Sequence, residues 1–289
     1  MSPYPFRRLL VVNSHPEPDA ELLRYAAALK CTTPEAEVLI ASAAGERIMR
    51  DLAPLTRATL GGGNTRISFR VLLESHLDLL FDLAIDWQAD LIVARQPQGS
   101  SDARLVIRQL LFEAPCAVCL VPKGARACAR RPLVRLEPTA RGARLLNMAS
   151  ALARHARSED LIALHTYFHD ALTLEPAMLR QLRMEREMEL YRFLARADLS
   201  GVNCTPLVEE NPSQIRTLLR VAEHRQADLL VFDPAVDQIP VWQWNRRQSE
   251  TLARSTRIPV LSACMTSESR KTLRALREHV FTEMELPFN

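Results

Sequence analysis

Four groups of residues in this chain have the types and spacing to do chemistry. The first is the loop "ARQPQGSSDARL", residues 94–105, set between a buried apolar run and a helical pattern. Such a loop can close on an anion, because backbone N–H groups and the positive end of the helix point the same way. Gly99, Ser100 and Ser101 could form a small nest of this kind, while the plainer reading is a surface turn ending at the N-cap Asp102. The second group is Cys116-x-x-Cys119, which lies on a strand pattern. Strand residues three apart face opposite sides, so the sulfurs neither share a metal nor bridge easily, and both read as core thiols. The third is His165 and His169, which bracket a strand end and a loop with no third ligand nearby, an arrangement that argues against a metal. The fourth is "VWQWN", where Trp242 and Trp244 precede Arg246 and Arg247. These rings either stack on a planar ligand or partner, or fill space, and filling is the expectation. No Ser/His/Asp order, HExxH or paired-carboxylate motif stands out, and no enzymatic activity is expected.

The elements that must position these groups come from a repeat. "RRLLVVNSHPEPDAELLRYAAAL" from Arg7 aligns without a gap on "RRPLVRLEPTARGARLLNMASAL" from Arg130, an offset of 123. Further on, "SHLDLLFDLAIDWQADLIV" from Ser75 pairs with "SQIRTLLRVAEHRQADLLV" from Ser213. The spacing predicts strands near Leu9–Val12, Val38–Ser42, Ile67–Leu72, Leu91–Ala94 and Ala117–Val121 in the first copy. In the second they fall near Leu133–Leu136, Leu161–Thr166, Val202–Val208, Leu229–Asp233 and Pro259–Ala263. Helical patterns alternate with them, the longest being the charged segment Ala177–Asp198 and the last Trp244–Ser255. Strict alternation predicts parallel strands, right-handed crossovers and helices on both faces. The first unit is 1–123, the linker 124–132, the second unit 133–266, and 267–289 a C-terminal helix and tail.

Composition narrows the function classes. Of the 289 residues, 47% are hydrophobic and 25% charged, the balance of a chain with a packed core. A net charge of +3 without a clustered basic stripe argues against a nucleic-acid partner. No apolar run is long enough to span a membrane, and six dispersed cysteines suit a reducing compartment, so the expected localisation is cytoplasmic.

The first strand and helix, the pair "QADLIV" and "QADLLV", and the closing phrase "APCAVCLVP" together resemble the universal stress protein family in its tandem, two-domain form. The resemblance covers nearly all of residues 7–265 and implies an α/β fold of two open five-stranded parallel sheets, each of order 3-2-1-4-5. In such a sheet ligands bind beyond the carboxyl ends of the first and fourth strands. The implied crevice sets Asn13, Ser14 and His15 against Ala94, Arg95 and Gln96, and in the second copy Leu136, Glu137 and Pro138 against Asp233 and Pro234.

Nucleotide-binding members of the family carry an Asp after the first strand and a spaced glycine loop after the fourth. Neither copy has that pattern: Asn13 or Ser14 takes the Asp position, only Gly99 and Ser100 remain of the loop, and the family's Gly-Ser falls on Arg104-Leu105 and Arg246-Arg247. In the second copy Glu137 and Asp233 would repel a polyanion, or share a proton if they meet. The expectation is therefore a non-enzymatic stress-response or regulatory module without a cofactor. Arg95, Arg104, Arg246 and Arg247 could supply guanidinium forks to an anion directly, and one alternative is an ATP- or AMP-binding member in which Arg95 and Arg104 replace the glycines. A second is a thiol- or metal-responsive sensor built on Cys116, Cys119, Cys128 and Cys204. The partners implied are an intramolecular pseudo-dimer of the two units through "AVCLV" and "PVLSA", a homodimer, and an unidentified protein.

Overall fold

The computed structural model describes residues 6–14, 17–30, 35–42, 45–61, 64–72, 77–98, 101–127, 129–167, 175–210, 214–233, 251, 254 and 256–262. Its first half runs β1 (Arg8–Asn13), α1 (Ala20–Lys30), β2 (Glu37–Ser42), α2 (Glu46–Leu60), β3 (Arg66–Val71), α3 (Leu77–Asp86), β4 (Leu91–Arg95), α4 (Ser101–Phe112) and β5 (Ala117–Val121). The second half follows as β6 (Pro132–Arg135), α5 (Ala140–Ala156), β7 (Leu161–Tyr167), α6 (Pro176–Leu194), β8 (Cys204–Glu210), α7 (Gln214–His224), β9 (Leu229–Phe232) and β10 (Val260–Ser262). The helix expected near Trp244–Ser255 lies outside the described residues except for Thr251 and Arg254, as does the C-terminal helix and tail. Strand β6 begins at Pro132, inside the expected linker.

The strands form one ten-stranded sheet of order β3-β2-β1-β4-β5-β10-β9-β6-β7-β8. Each half has the order 3-2-1-4-5 in its own numbering, but the two sheets are continuous rather than separate. They join where β5 and β10 pair antiparallel, with Leu261 opposite Cys119, while every other pairing is parallel.

Parallel strands buried on both faces should read as continuous apolar runs, and β1, β4 and β5 do. Leu9, Val11, Leu91, Val93 and Cys119 face one core with α1, α2, α5 and α6. Leu10, Ile92, Val118 and Leu120 face the other, with α3, α4 and α7. Cys116 belongs to this second core, so the two thiols of Cys116-x-x-Cys119 lie on opposite sides of the sheet.

The repeated sequence signals tie the amino ends of the strands, opposite the crevice. Asp90 accepts the backbone N–H groups of Arg7 and Arg8 at 3.0 and 2.9 Å. Asp228 does the same for Arg130 and Arg131 at 2.7 and 3.0 Å. The preceding Gln88 and Gln226 stand in left-handed backbone, φ 55° and 53°. Their Oε1 atoms accept from Arg8 at 2.9 Å and Arg131 at 3.1 Å. Each guanidinium also reaches the next strand region, Arg8 to Glu37 at 3.1 Å and Arg131 to Glu159 at 3.0 Å. The "RR" and "QAD" motifs are thus two halves of one structural clamp, used twice.

Candidate functional site

At the carboxyl ends of β1 and β4 the sheet opens into a cleft of about 800 Å³. Strands leaving a switch point in opposite directions leave a gap there, and the first turns of α1 and α4 form its rims. Its floor is polar, with Asn13, Ser14, Arg95 and Gln96 from the strand ends. One wall is apolar and comes from Val12, Leu72, Leu77, Leu80, Val106 and Leu110.

Asn13 is 3% exposed and holds the β1–α1 loop together. Its Oδ1 accepts the Asp19 N–H at 3.0 Å and its Nδ2 donates to the Glu17 carbonyl at 3.3 Å. Asp19 in turn caps α1, accepting the Leu22 N–H at 3.0 Å. The same Asp19 carboxylate takes a two-pronged grip from the Arg95 guanidinium. Arg95 further contacts Glu21 at 3.1 Å and donates to the Pro122 carbonyl at 2.9 Å. Burial on its own would lower the Arg95 pKa, but the hydrogen bond and charge of Asp19, then those of Glu21, outweigh it and hold the group above its ordinary value. This guanidinium is already spent on two carboxylates, with its side chain 10% exposed.

Arg104 does not reach the cleft. A helix turns about 100° per residue, so the α4 residues that line the cleft are Asp102, Ala103, Val106 and Leu110. Arg104 and Leu105 are exposed elsewhere on α4 and obstruct no phosphate path. Gly99, Ser100 and Arg246 lie outside the described residues, as do Trp242, Trp244, Cys128 and His169.

The second half differs. Helix α5 starts at Ala140, three residues before the position that corresponds to the start of α1. Thr139 caps it by accepting the Gly142 N–H at 3.2 Å. The extra turn lies so close to the strand end that a Cβ on Gly142 would sit 1.8 Å from the Glu137 carbonyl oxygen. Glu137 and Asp233 each face an arginine, Arg135 at 3.8 Å and Arg141 at 3.2 Å. Beside them His165 is buried, its Nδ1 3.3 Å from the Leu136 carbonyl oxygen. Burial lowers its pKa and Arg186 and Arg135 push the same way, against opposing contributions from Leu136 and Glu189.

Among the described residues no group of three or more His, Cys, Asp or Glu side chains could hold a metal. The thiols are protected: burial raises the Cys119 pKa against a hydrogen bond from Tyr25, and burial with the charge of Asp160 pushes Cys204 up to about 11.

The residues that sequence reasoning missed are Asp19, Glu21, Lys123 and the apolar wall. The acidic run "PEPDAE" ahead of α1 was a usable signal for the first two, since an arginine ending the neighbouring strand needs a counter-charge.

No protein-family model matches the sequence, and no curated protein matches it. Solved structures do match. A functionally uncharacterised protein from Pseudomonas aeruginosa superposes with TM-score 0.69 at 15% identity, covering 95% of this chain and 98% of its own. A universal stress protein from Archaeoglobus fulgidus superposes with TM-score 0.61 at 12% identity, covering 92% and 98%. This chain has the universal stress protein fold. The same architecture also serves elsewhere: the cytoplasmic domain of a prokaryotic cation chloride cotransporter superposes with TM-score 0.52 at 17% identity over 89% of this chain and 94% of its own. Fold and function are separable here, so the site must carry the functional argument. No helix among the described residues is long and apolar enough to cross a membrane.

Proposed function

We propose that this chain is a tandem universal stress protein acting as a non-enzymatic regulatory module in a stress response, and that its crevice does not hold ATP or AMP. One observation carries the reading: the cation best placed to meet a phosphate, Arg95, is locked to Asp19 and Glu21. Among the described residues the cleft is lined by four carboxylates, Glu17, Asp19, Glu21 and Asp102, and two cations, Arg95 and Lys123. A polyanion entering it would have to displace Asp19 from Arg95 and then lie beside carboxylates. The residues present do not fit a nucleotide, and with Arg104 turned away the arginine-for-glycine substitution loses both of its supports in the first half. The buried Cys116 and Cys119, and a Cys204 thiol held above its ordinary pKa, likewise weigh against a redox sensor built on them.

Because the two five-stranded units meet through β5 and β10, regulation by a partner protein would act on one continuous sheet. Native mass spectrometry of the freshly purified chain tests the reading: the expected mass is that of the bare polypeptide, and a stoichiometric nucleotide would refute it.

A further inference from the structure

Helix α6 is apolar on two sides, and only one of them is buried. Its inner side sets Leu190 and Leu194 in the core, with Phe193 packed against the same cluster. Its outer side carries Met184, Met188 and Tyr191, which are 64%, 50% and 55% exposed. Ala177 precedes them and Ala195 follows, both exposed, the latter in αR backbone with its N–H on the Tyr191 carbonyl. The series Ala177, Gln181, Met184, Met188, Tyr191, Ala195 alternates spacings of four and three. That is the repeat of a helix seam, one narrow stripe that a second helix can cover along its whole length. On α3 and α4 the exposed large hydrophobics are single residues, Leu79 and Leu105, which is ordinary for a protein surface.

The charges that flank this seam say what covers it. Arg180 and Glu187 lie along one side of it, Glu185 and Arg192 along the other. Glu187 is bonded to Arg183 at 2.9 Å, and Glu185 accepts from Gln181 at 3.0 Å. Arg180, Glu185 and Arg192 are exposed and form no salt bridge with another described residue. In two parallel helices a residue on one flank meets the residue five positions on in the opposite flank of its neighbour. A second copy of α6 laid parallel and in register therefore brings Arg180 to the partner's Glu185 and Glu187 to the partner's Arg192. A twofold axis makes each pair occur twice. Turned antiparallel with the same overlap, the helices would set Glu185 against the partner's Glu185 and Glu187 against the partner's Glu187. Like charges exclude that arrangement, so the flanks select orientation as well as partner.

We infer that the outer face of α6 is a homodimer interface, in which two copies of this chain pack α6 parallel and in register. Met184, Met188 and Tyr191 form its apolar layers, and Gln181 faces the partner's Gln181, a polar layer that holds the register. The helix is already held by the core through Leu190 and Leu194, so association pays no cost of forming it. Helix α6 packs on β8, the last strand of the sheet, so the dimer joins two sheets at their ends and leaves the crevice beside β1 and β4 uninvolved.

Sedimentation equilibrium of the full chain across the micromolar range tests it. One helix against one helix falls below the roughly 1,200 Å² of a standard interface, so a reversible monomer–dimer equilibrium with a micromolar Kd is expected. Met188→Glu places two carboxylates face to face in the seam and should raise the Kd at least about a hundredfold. Arg180→Glu and Glu185→Arg should each weaken the dimer about tenfold, and the two together should restore it, because the swapped charges meet again across the axis. All four variants change exposed side chains, so their melting temperatures at a concentration where the parent is monomeric should match it, which separates a lost interface from a lost fold. A chain that is monomeric throughout, as when its own residues 267–289 or a different protein cover the seam, overturns the inference. So does a dimer that survives Met188→Glu, or a double charge swap that binds no better than either single one.

Discussion

Replacing Arg95 by Met tests whether the charge cluster at the crevice is structural. The substitution keeps an unbranched side chain against the strand ends and deletes the guanidinium fork. Arg95 and Asp19 are 10% and 11% exposed, so the variant strands a nearly buried carboxylate. Removing one partner of a buried ion pair costs about 3–5 kcal/mol. The lower end applies, because Asp19 keeps the Leu22 N–H that it caps at 3.0 Å. Glu21 is 39% exposed and adds under about 1 kcal/mol through solvent screening. At roughly 2–4 °C per kcal/mol for a chain of this size, the melting temperature should fall by about 6–12 °C. Differential scanning calorimetry reads this directly. Asp19→Asn retains the helix cap and removes the stranded charge, so in the Arg95→Met background it should recover most of the loss, a coupling that a double-mutant cycle isolates. A melting temperature within 1 °C or so of the parent, or no recovery from Asp19→Asn, would refute the structural role. An arginine reserved for an external anion would behave in the first way, since ligand-free functional sites lose little or gain stability when such a group is removed.

Other consequences follow from the geometry. Asp90→Ala and Asp228→Ala each remove a carboxylate that accepts two backbone N–H groups, and each should cost about 1–3 kcal/mol in urea denaturation, with their effects additive because they clamp different halves. His165 has a folded pKa lowered by burial, so the unfolded chain binds the extra proton first. Its contribution to stability is complete above the unfolded value, about 6.5, and is lost as pH falls below it. His165→Gln should therefore flatten the decline in stability between about pH 6.5 and 5. Cys204, pushed up to about 11, and the buried Cys116 and Cys119 should resist iodoacetamide at pH 7.5 and react fully in denaturant, as followed by peptide mass mapping.

Much of the fold was legible because parallel strands announce themselves. The runs at Leu91–Ala94 and Ala117–Val121 are bounded by turn residues and lie within a residue of β4 and β5. The internal repeat gave the second half its elements at weaker local signals, and the matched Asp90 and Asp228 turned out to be the reason for the "QAD" motif. Less regular segments drifted: β8 begins at Cys204 rather than Val202, and α6 ends at Leu194, where Ala195–Ala197 bend away from the helix axis that the charge pattern would have continued. The site was legible only in outline. Asn13, Ser14, Arg95 and Gln96 do meet at the strand ends, as topology requires. That Arg95 is held by residues 76 and 74 positions earlier could not be read from local pattern, because it depends on how deeply the α1 loop folds over the sheet edge. Arg104 failed for a simpler reason, a helical phase that places it one step away from Ala103 and outside the cleft.

The most direct test of the central claim is calorimetric titration of the ligand-free full chain with Mg-ATP and with AMP at low ionic strength, where any electrostatic attraction would be strongest. An Arg95 engaged by Asp19 and Glu21 predicts no saturable heat up to millimolar nucleotide. A one-to-one isotherm with micromolar affinity, lost in Arg95→Met, would contradict the account and return the crevice to nucleotide binding.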